Sequence, residues 1–164
     1  MTEPETTKSV LESIHSLFVN KIFLSTIFSL FIAQALKMII YLLNRKNRKK
    51  LNALEILLWR TGGMPSSHSA VVCALVTATG IEHRIYSTYF IFSLVFAMVT
   101  LRDALGVRRA AGLQARALNN LGKQVAKMTD QEYRSVKEIQ GHTPMEVLIG
   151  CCLGILITVV FYLL

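Results

Sequence analysis

The sequence predicts an all-α fold: an integral membrane bundle of about four transmembrane helices with interfacial helices beside it. Three observations predict it. Hydrophobic residues make up 52% of the 164-residue chain and fall in long runs rather than an even scatter. The formal net charge is +8, and the basic residues cluster at the ends of those runs. Polar stretches rich in Gly, Pro, Ser, Thr and His then stand where two of the runs begin. We read residues 1–164 as a single membrane-embedded domain.

Residues 1–16 form a polar lead-in with three Glu and one Lys. Val10, Leu11, Ile14, Leu17 and Phe18 have helical spacing, so a short interfacial helix is expected from Val10. No basic n-region precedes an apolar core here, so no cleaved leader is expected. The first span is predicted at 18–43. Lys37 lies inside it, and an intramembrane lysine is costly: either it serves function or it snorkels to the interface. A basic block at Asn44–Lys50 and an apolar segment at 51–60 lead to Gly62-Gly63-Met64-Pro65-Ser66-Ser67-His68-Ser69-Ala70.

That stretch reads as a loop running into a helix start, where N–H groups converge and an anion is favoured. Proline suits the first helical turn. The blander reading is an N-cap by Ser66 or Ser67 with an incidental His68. The second helix is predicted at 66–80, the third at 87–105, ending in Arg102-Asp103. A weakly apolar helix continues from Gly106 to about Lys127, through Val107, Ala111, Gln114, Leu118, Leu121 and Val125. It lies along the membrane or under the bundle. Met128–Gln140 reads as the mobile loop. Gly141-His142-Thr143-Pro144 opens the fourth helix, which runs to Leu164. Cys73, Cys151 and Cys152 fall in apolar runs and are expected to be reduced, buried thiols.

Asn44–Lys50 and Arg102–Lys137 are strongly basic, whereas the N-terminus and the Glu82–Arg84 turn are not. The positive-inside rule puts both basic segments in the cytoplasm. The 106–141 region is then a cytoplasmic helix and loop. No aromatic stacking pattern accompanies the basic residues, so nucleic acid is not expected as a partner; anionic lipid is. Helix order alone brings the Pro65–Ser69 start, the Arg102/Asp103 end, Arg108/Arg109 and the His142 start to one end of the bundle.

Several residues there suit chemistry. His142 and Glu146 are four apart on one helix face, so the carboxylate can orient the imidazole. Arg108 and Arg109 diverge if helical, so one can grip a phosphate while the other faces headgroups or Asp103. Asp103 reads as the partner that orients an arginine, with a metal ligand as its second reading. His15 and His83 read as surface residues. Two histidines, arginines and a helix start together suggest phosphoryl transfer.

Pro65-Ser66-Ser67-His68 resembles the second signature of the type 2 phosphatidic acid phosphatase (PAP2) superfamily. His142-x-x-x-Glu146 resembles the end of its third. With Arg102-Asp103-Ala104-x-Gly106-Val107-Arg108-Arg109 and Gly141-His142-Thr143-Pro144, the set is similar to the divergent branch of that superfamily. The first signature is absent, since Lys37 is followed by Arg45 one place late and without proline. The resemblance implies His142 as nucleophile, Glu146 as its orienting acid and His68 as general acid. It implies phosphate binding by Ser66, Ser67 and an arginine, Arg108 or Arg109. Lys37 is a further candidate for the phosphate, and no metal cofactor is implied.

The expected function is a multi-pass phosphatase of the inner (cytoplasmic) membrane with its site on the cytoplasmic side. It would hydrolyse a lipid phosphate monoester or diphosphate through a phosphohistidine intermediate. Phosphatidylglycerophosphate or phosphatidic acid comes first, a polyprenyl diphosphate next. One alternative is a metal-assisted phosphatase with Mg2+ on Asp103 and Glu146. The other is a catalytically silent lipid-phosphate-binding or membrane assembly protein. Four helices bury little core, which leaves room for a homodimer.

Overall fold

The computed structural model of the chain describes residues 3–43, 63–138 and 141–164. The readings made on Asn44–Lys50, residues 51–60 and Gly62 lie outside the described residues. Within them the fold is all-α, with six helices and no strand. They are α1 (Glu3–Val19), α2 (Lys21–Leu43), α3 (Ser67–His83), α4 (Thr88–Leu105), α5 (Val107–Thr129) and α6 (Pro144–Leu163).

The expected lead-in and first span divide differently from the prediction. Helix α1 starts at Glu3, well before Val10, and takes in Phe18 and Val19. Asn20 makes the break. Its side-chain oxygen accepts the Phe23 N–H at 3.1 Å and its carbonyl accepts the Leu24 N–H at 2.9 Å, so it ends one helix and caps the next. The remaining boundaries fall within a turn of expectation.

Helices α2, α4 and α6 are long and apolar enough to cross a membrane. The sequence reading expects about four such helices. Helix α3, the fourth, has 17 residues and sits at the centre, packed on α2, α4 and α6.

Small residues every fourth position build the core. Ser25, Ser29, Ala33 and Lys37 are buried on α2; Ser66, Ala70, Ala74 and Ala78 on α3 and its cap; Gly150, Gly154 and Thr158 on α6. Large apolar side chains such as Phe31 and Phe92 point outward instead. Lipid-soluble helices pack this way because lipid already solvates large apolar groups, so backbones gain by close approach. A Cβ at Gly150 would collide with the Ser66 carbonyl, and one at Gly154 with the Ala70 carbonyl. One turn on, Thr158 Oγ1 donates to the Ala74 carbonyl at 3.5 Å. The pairs advance in the same direction, so α3 and α6 are parallel and both start at one end of the bundle.

The other helices follow from this axis. Helix α4 returns antiparallel to α3 after a short turn, held by the Thr79–Ser93 hydroxyl pair at 2.8 Å. Helix α2 is antiparallel to α6: Phe28 lies 5.9 Å from Phe161, and Lys21 Nζ sits over the Tyr162 ring. The C-terminal ends of α2 and α4 therefore meet the N-terminal ends of α3 and α6.

Two expectations are corrected. The three cysteines are free, but Cys73 on α3 and Cys151 on α6 are only half-buried, and Cys152, turned about 100° from Cys151, is exposed. The 130–138 segment, read as a mobile loop, is tied to α5. Buried Asn119 donates to the Val136 carbonyl at 2.9 Å and to Glu138 at 2.9 Å. Its oxygen accepts Tyr133 Oη at 3.0 Å and the Val136 N–H at 2.8 Å. All four hydrogen-bonding positions of the amide are used.

Candidate active site

The site is built on the first turn of α3. Gly63 takes φ +93°, a left-handed turn that favours glycine, just ahead of it. Pro65 is buried and precedes the helix rather than opening it; Ser66 is the N-cap. The Ser66 hydroxyl accepts the Ser69 N–H at 3.4 Å and the Ser69 hydroxyl at 2.8 Å. The Ser66 N–H donates to the Glu146 carbonyl at 3.0 Å, which ties α3 to the start of α6. Ser66 is thus committed to the fold. Among the described residues, the Ser67 and His68 N–H groups, first in α3, have no backbone acceptor. They carry the positive end of the helix dipole.

The start of α6 is fixed by a capping box. Thr143 Oγ1 accepts the Glu146 N–H at 3.3 Å, and Glu146 Oε2 accepts the Thr143 N–H at 3.0 Å. The same Oε2 lies 3.1 Å from His142 Nδ1. With Nδ1 carrying the proton toward Glu146, the lone pair is on Nε2. His142 is buried, at 8% exposure.

Cations close the site from the other two helices. Lys37 is buried at 5% exposure, and its stem passes Gly63. It stands at the site end of the small-residue stripe on α2. Arg108 is held by Asp103, Nε to Oδ2 at 2.6 Å, across the joint between α4 and α5. Its neighbour Arg109 acts through its backbone, against which Gly141 packs so closely that a Cβ would collide. That contact brings the His142 turn to the arginines, which lie some thirty residues away in sequence. Arg102 is exposed at the end of α4.

His68 faces this group from α3, at its solvent-exposed end and outside the three helices that can cross a membrane. Partial burial first, then the charges of Arg108, His142 and Lys37, push its pKa below the ordinary imidazole value. Arg108, Lys37 and the helix-start N–H groups make the surroundings of His68 electropositive.

Of the residues singled out from sequence, the structure brings together His68, His142, Glu146, Lys37, Arg108 and Asp103, with Ser66 and Ser67 beneath them. Arg109 meets this group through its backbone, at Gly141 next to His142. His15 and His83 are exposed, away from the site. The two carboxylates of the expected Mg2+ alternative, Asp103 and Glu146, both have side-chain or backbone partners. Asp103 is engaged with Arg108 and Glu146 with His142 and Thr143, and no cluster of three His, Cys, Asp or Glu is found among the described residues. The sequence reading missed Asn119, which anchors the segment leading to Gly141 and His142. A polar residue on a polar helix face gives no signal that it is buried.

Residues 18–157 match the family described as the divergent PAP2 family. The uncharacterized membrane protein YuiD of Bacillus subtilis (strain 168) is 45% identical over 111 residues, covering 61% of this chain and 70% of that protein. No solved structure matches the chain.

Proposed function

The chain belongs to the divergent PAP2 family, and from that premise we propose that it is a membrane phosphatase acting on a lipid phosphate. One observation carries the reading: a histidine oriented by a carboxylate, a second histidine and two cations converge on an open helix N-terminus.

In this reading the phosphate sits over the first turn of α3, held by the Ser67 and His68 N–H groups, Lys37 and Arg108. His142 Nε2 attacks phosphorus in line with the leaving oxygen. The P–O bond breaks, His68 gives that oxygen its proton, and Glu146 balances the charge on the His142 ring. Water, deprotonated by the now neutral His68, then attacks the phosphohistidine. Phosphate leaves and His142 returns to its starting form. The bound anion offsets the cations around His68, which favours its protonated form when the substrate is in place.

The basic Asn44–Lys50 and Arg102–Lys137 segments support a multi-pass protein of the cytoplasmic membrane with this end inside. A site there suits lipids made on the inner leaflet. Phosphatidylglycerophosphate and phosphatidic acid are the first substrates to test, and a polyprenyl diphosphate the next.

The test is phosphate release by the purified chain in detergent, from that lipid panel, with and without chelator, beside His142→Ala. Turnover that resists chelator and vanishes in the variant supports the phosphohistidine route. Full activity of His142→Ala overturns it. Binding of phosphate lipids with no turnover under any condition would instead favour the silent lipid-binding reading.

A further inference from the structure

Helix α5 has an exposed apolar stripe that the candidate active site does not use. Val107, Leu118, Leu121, Val125 and Met128 fall on one side at about 3.6 residues per turn. Each is between 48% and 87% exposed. Among the described residues, α4 is the only other helix that touches α5. The opposite side carries Arg109, Arg116, Lys123 and Lys127, and α5 contains no Asp or Glu. Arg116 pairs with Glu138 at 3.3 Å. The 130–138 segment covers the flank around Asn119, and its residues Gln131, Glu132 and Tyr133 border a shallow pocket with Leu118, Leu121 and Val125, which stay between 48% and 58% exposed.

We infer that α5 lies in the plane of the membrane surface, its apolar stripe in the acyl boundary and its basic side among anionic lipid headgroups. Two features of the chain choose this occupant. The first is continuity. Helix α4 is apolar enough to cross a membrane and ends at Leu105, and only Gly106 separates it from α5. Gly106 has φ −102° and ψ −85°, outside the helical range, so the chain can change direction where it leaves the bilayer. The second is charge complementarity: a helix whose own charges are all basic, set opposite a Leu and Val stripe, has the pattern of helices that bind anionic lipid surfaces in plane. Placed this way, α5 holds Arg108 at its first turn, at headgroup level beside the site. The inference stands without the catalytic reading, because it concerns where α5 sits and not what the site does.

The experiment uses the full chain with Cys73→Ala, Cys151→Ala and Cys152→Ala, carrying either Leu121→Cys or Asn120→Cys, each labelled with an environment-sensitive fluorophore. The labelled chains are reconstituted in phosphatidylcholine vesicles containing phosphatidylglycerol. At 121 a quencher attached to lipid chains is expected to act several-fold more strongly than a water-soluble one, with the order reversed at 120. Equal access of the water-soluble quencher to both positions overturns the inference. So does shielding at 121 that disappears on dilution in lipid, which would assign the stripe to a second copy. Lys123→Gln with Lys127→Gln is expected to lower the phosphatidylglycerol retained through purification; unchanged retention overturns the anionic preference.

Discussion

Glu146 Oε2 serves two partners at once: it lies 3.1 Å from His142 Nδ1 and accepts the Thr143 N–H at 3.0 Å. One oxygen therefore ends the capping box of α6 and orients the buried imidazole. Glu146→Gln keeps an acceptor for Thr143 but loses the charge that balances a positive His142. Activity is expected to fall by about 10²-fold or more while the melting temperature changes little. Glu146→Ala removes the cap as well, at a further cost of about 1 kcal/mol in stability. Single-turnover phosphate release beside thermal unfolding in detergent separates the two effects.

The pKa of His68 is held down by burial and then by Arg108, His142 and Lys37. A histidine lowered in the folded state stays neutral there while the unfolded chain takes up a proton near pH 6.5. Its contribution to stability is therefore full above that ordinary value and is lost as pH falls toward the lowered one. In the pH profile of kcat/KM, the limb that reports protonated His68 is expected below its ordinary position. Arg108→Gln removes one of the cations, so that limb should move to higher pH as KM rises. A limb that stays in place in Arg108→Gln would show that another group carries the proton.

Lys37 is buried at the site end of α2. Lys37→Met keeps the length of the side chain and removes its charge. Inorganic phosphate or vanadate is expected to inhibit the variant about ten- to hundredfold more weakly, from the loss of about 1.5–3 kcal/mol for a hydrogen bond to a charged group. Inhibition constants equal to those of the parent chain would remove Lys37 from the phosphate site.

The α3–α6 seam has no room for a side chain at Gly150 or Gly154. Gly150→Ala pushes on the Ser66 carbonyl, next to the Ser66 N–H bond to Glu146. A loss of about 1–3 kcal/mol is expected for either glycine. Gly150→Ala, being nearer the site, should lose activity at temperatures where Gly154→Ala keeps it. Parallel melting and activity curves for the two variants check this.

Asn119 uses all four hydrogen-bonding positions to hold 133–138 against α5. Asn119→Ala is expected to cost about 1–3 kcal/mol. It should also release the segment, so that trypsin cuts at Arg134 and Lys137 before the rest of the chain unfolds. Asn119→Asp keeps the shape, loses both donors and places a charge beside Glu138, and should behave like alanine. Mass analysis of limited digests gives the result.

The existence and order of the helices, the clustering of four polar segments at one end and the His142–Glu146 pair were all legible in the sequence. Those features depend on interactions within one turn or one run: apolar length, N-cap chemistry and a four-residue spacing. Asn20 shows the limit even there, since one cap divided a run that hydropathy alone joins. What only the tertiary structure decided concerns the rotation and approach of helices. The Gly150 and Gly154 seam carries Ser66 onto Glu146 and commits it to the fold, and the small stripe on α2 turns Lys37 inward. The Arg109 backbone receives Gly141 while Arg108 faces His68, although the two arginines are neighbours in sequence. Asn119 is buried only because a distant segment folds over it. Each of these is a contact between segments far apart in the chain, set by which backbones can come closest, and no local pattern of residue types encodes that distance.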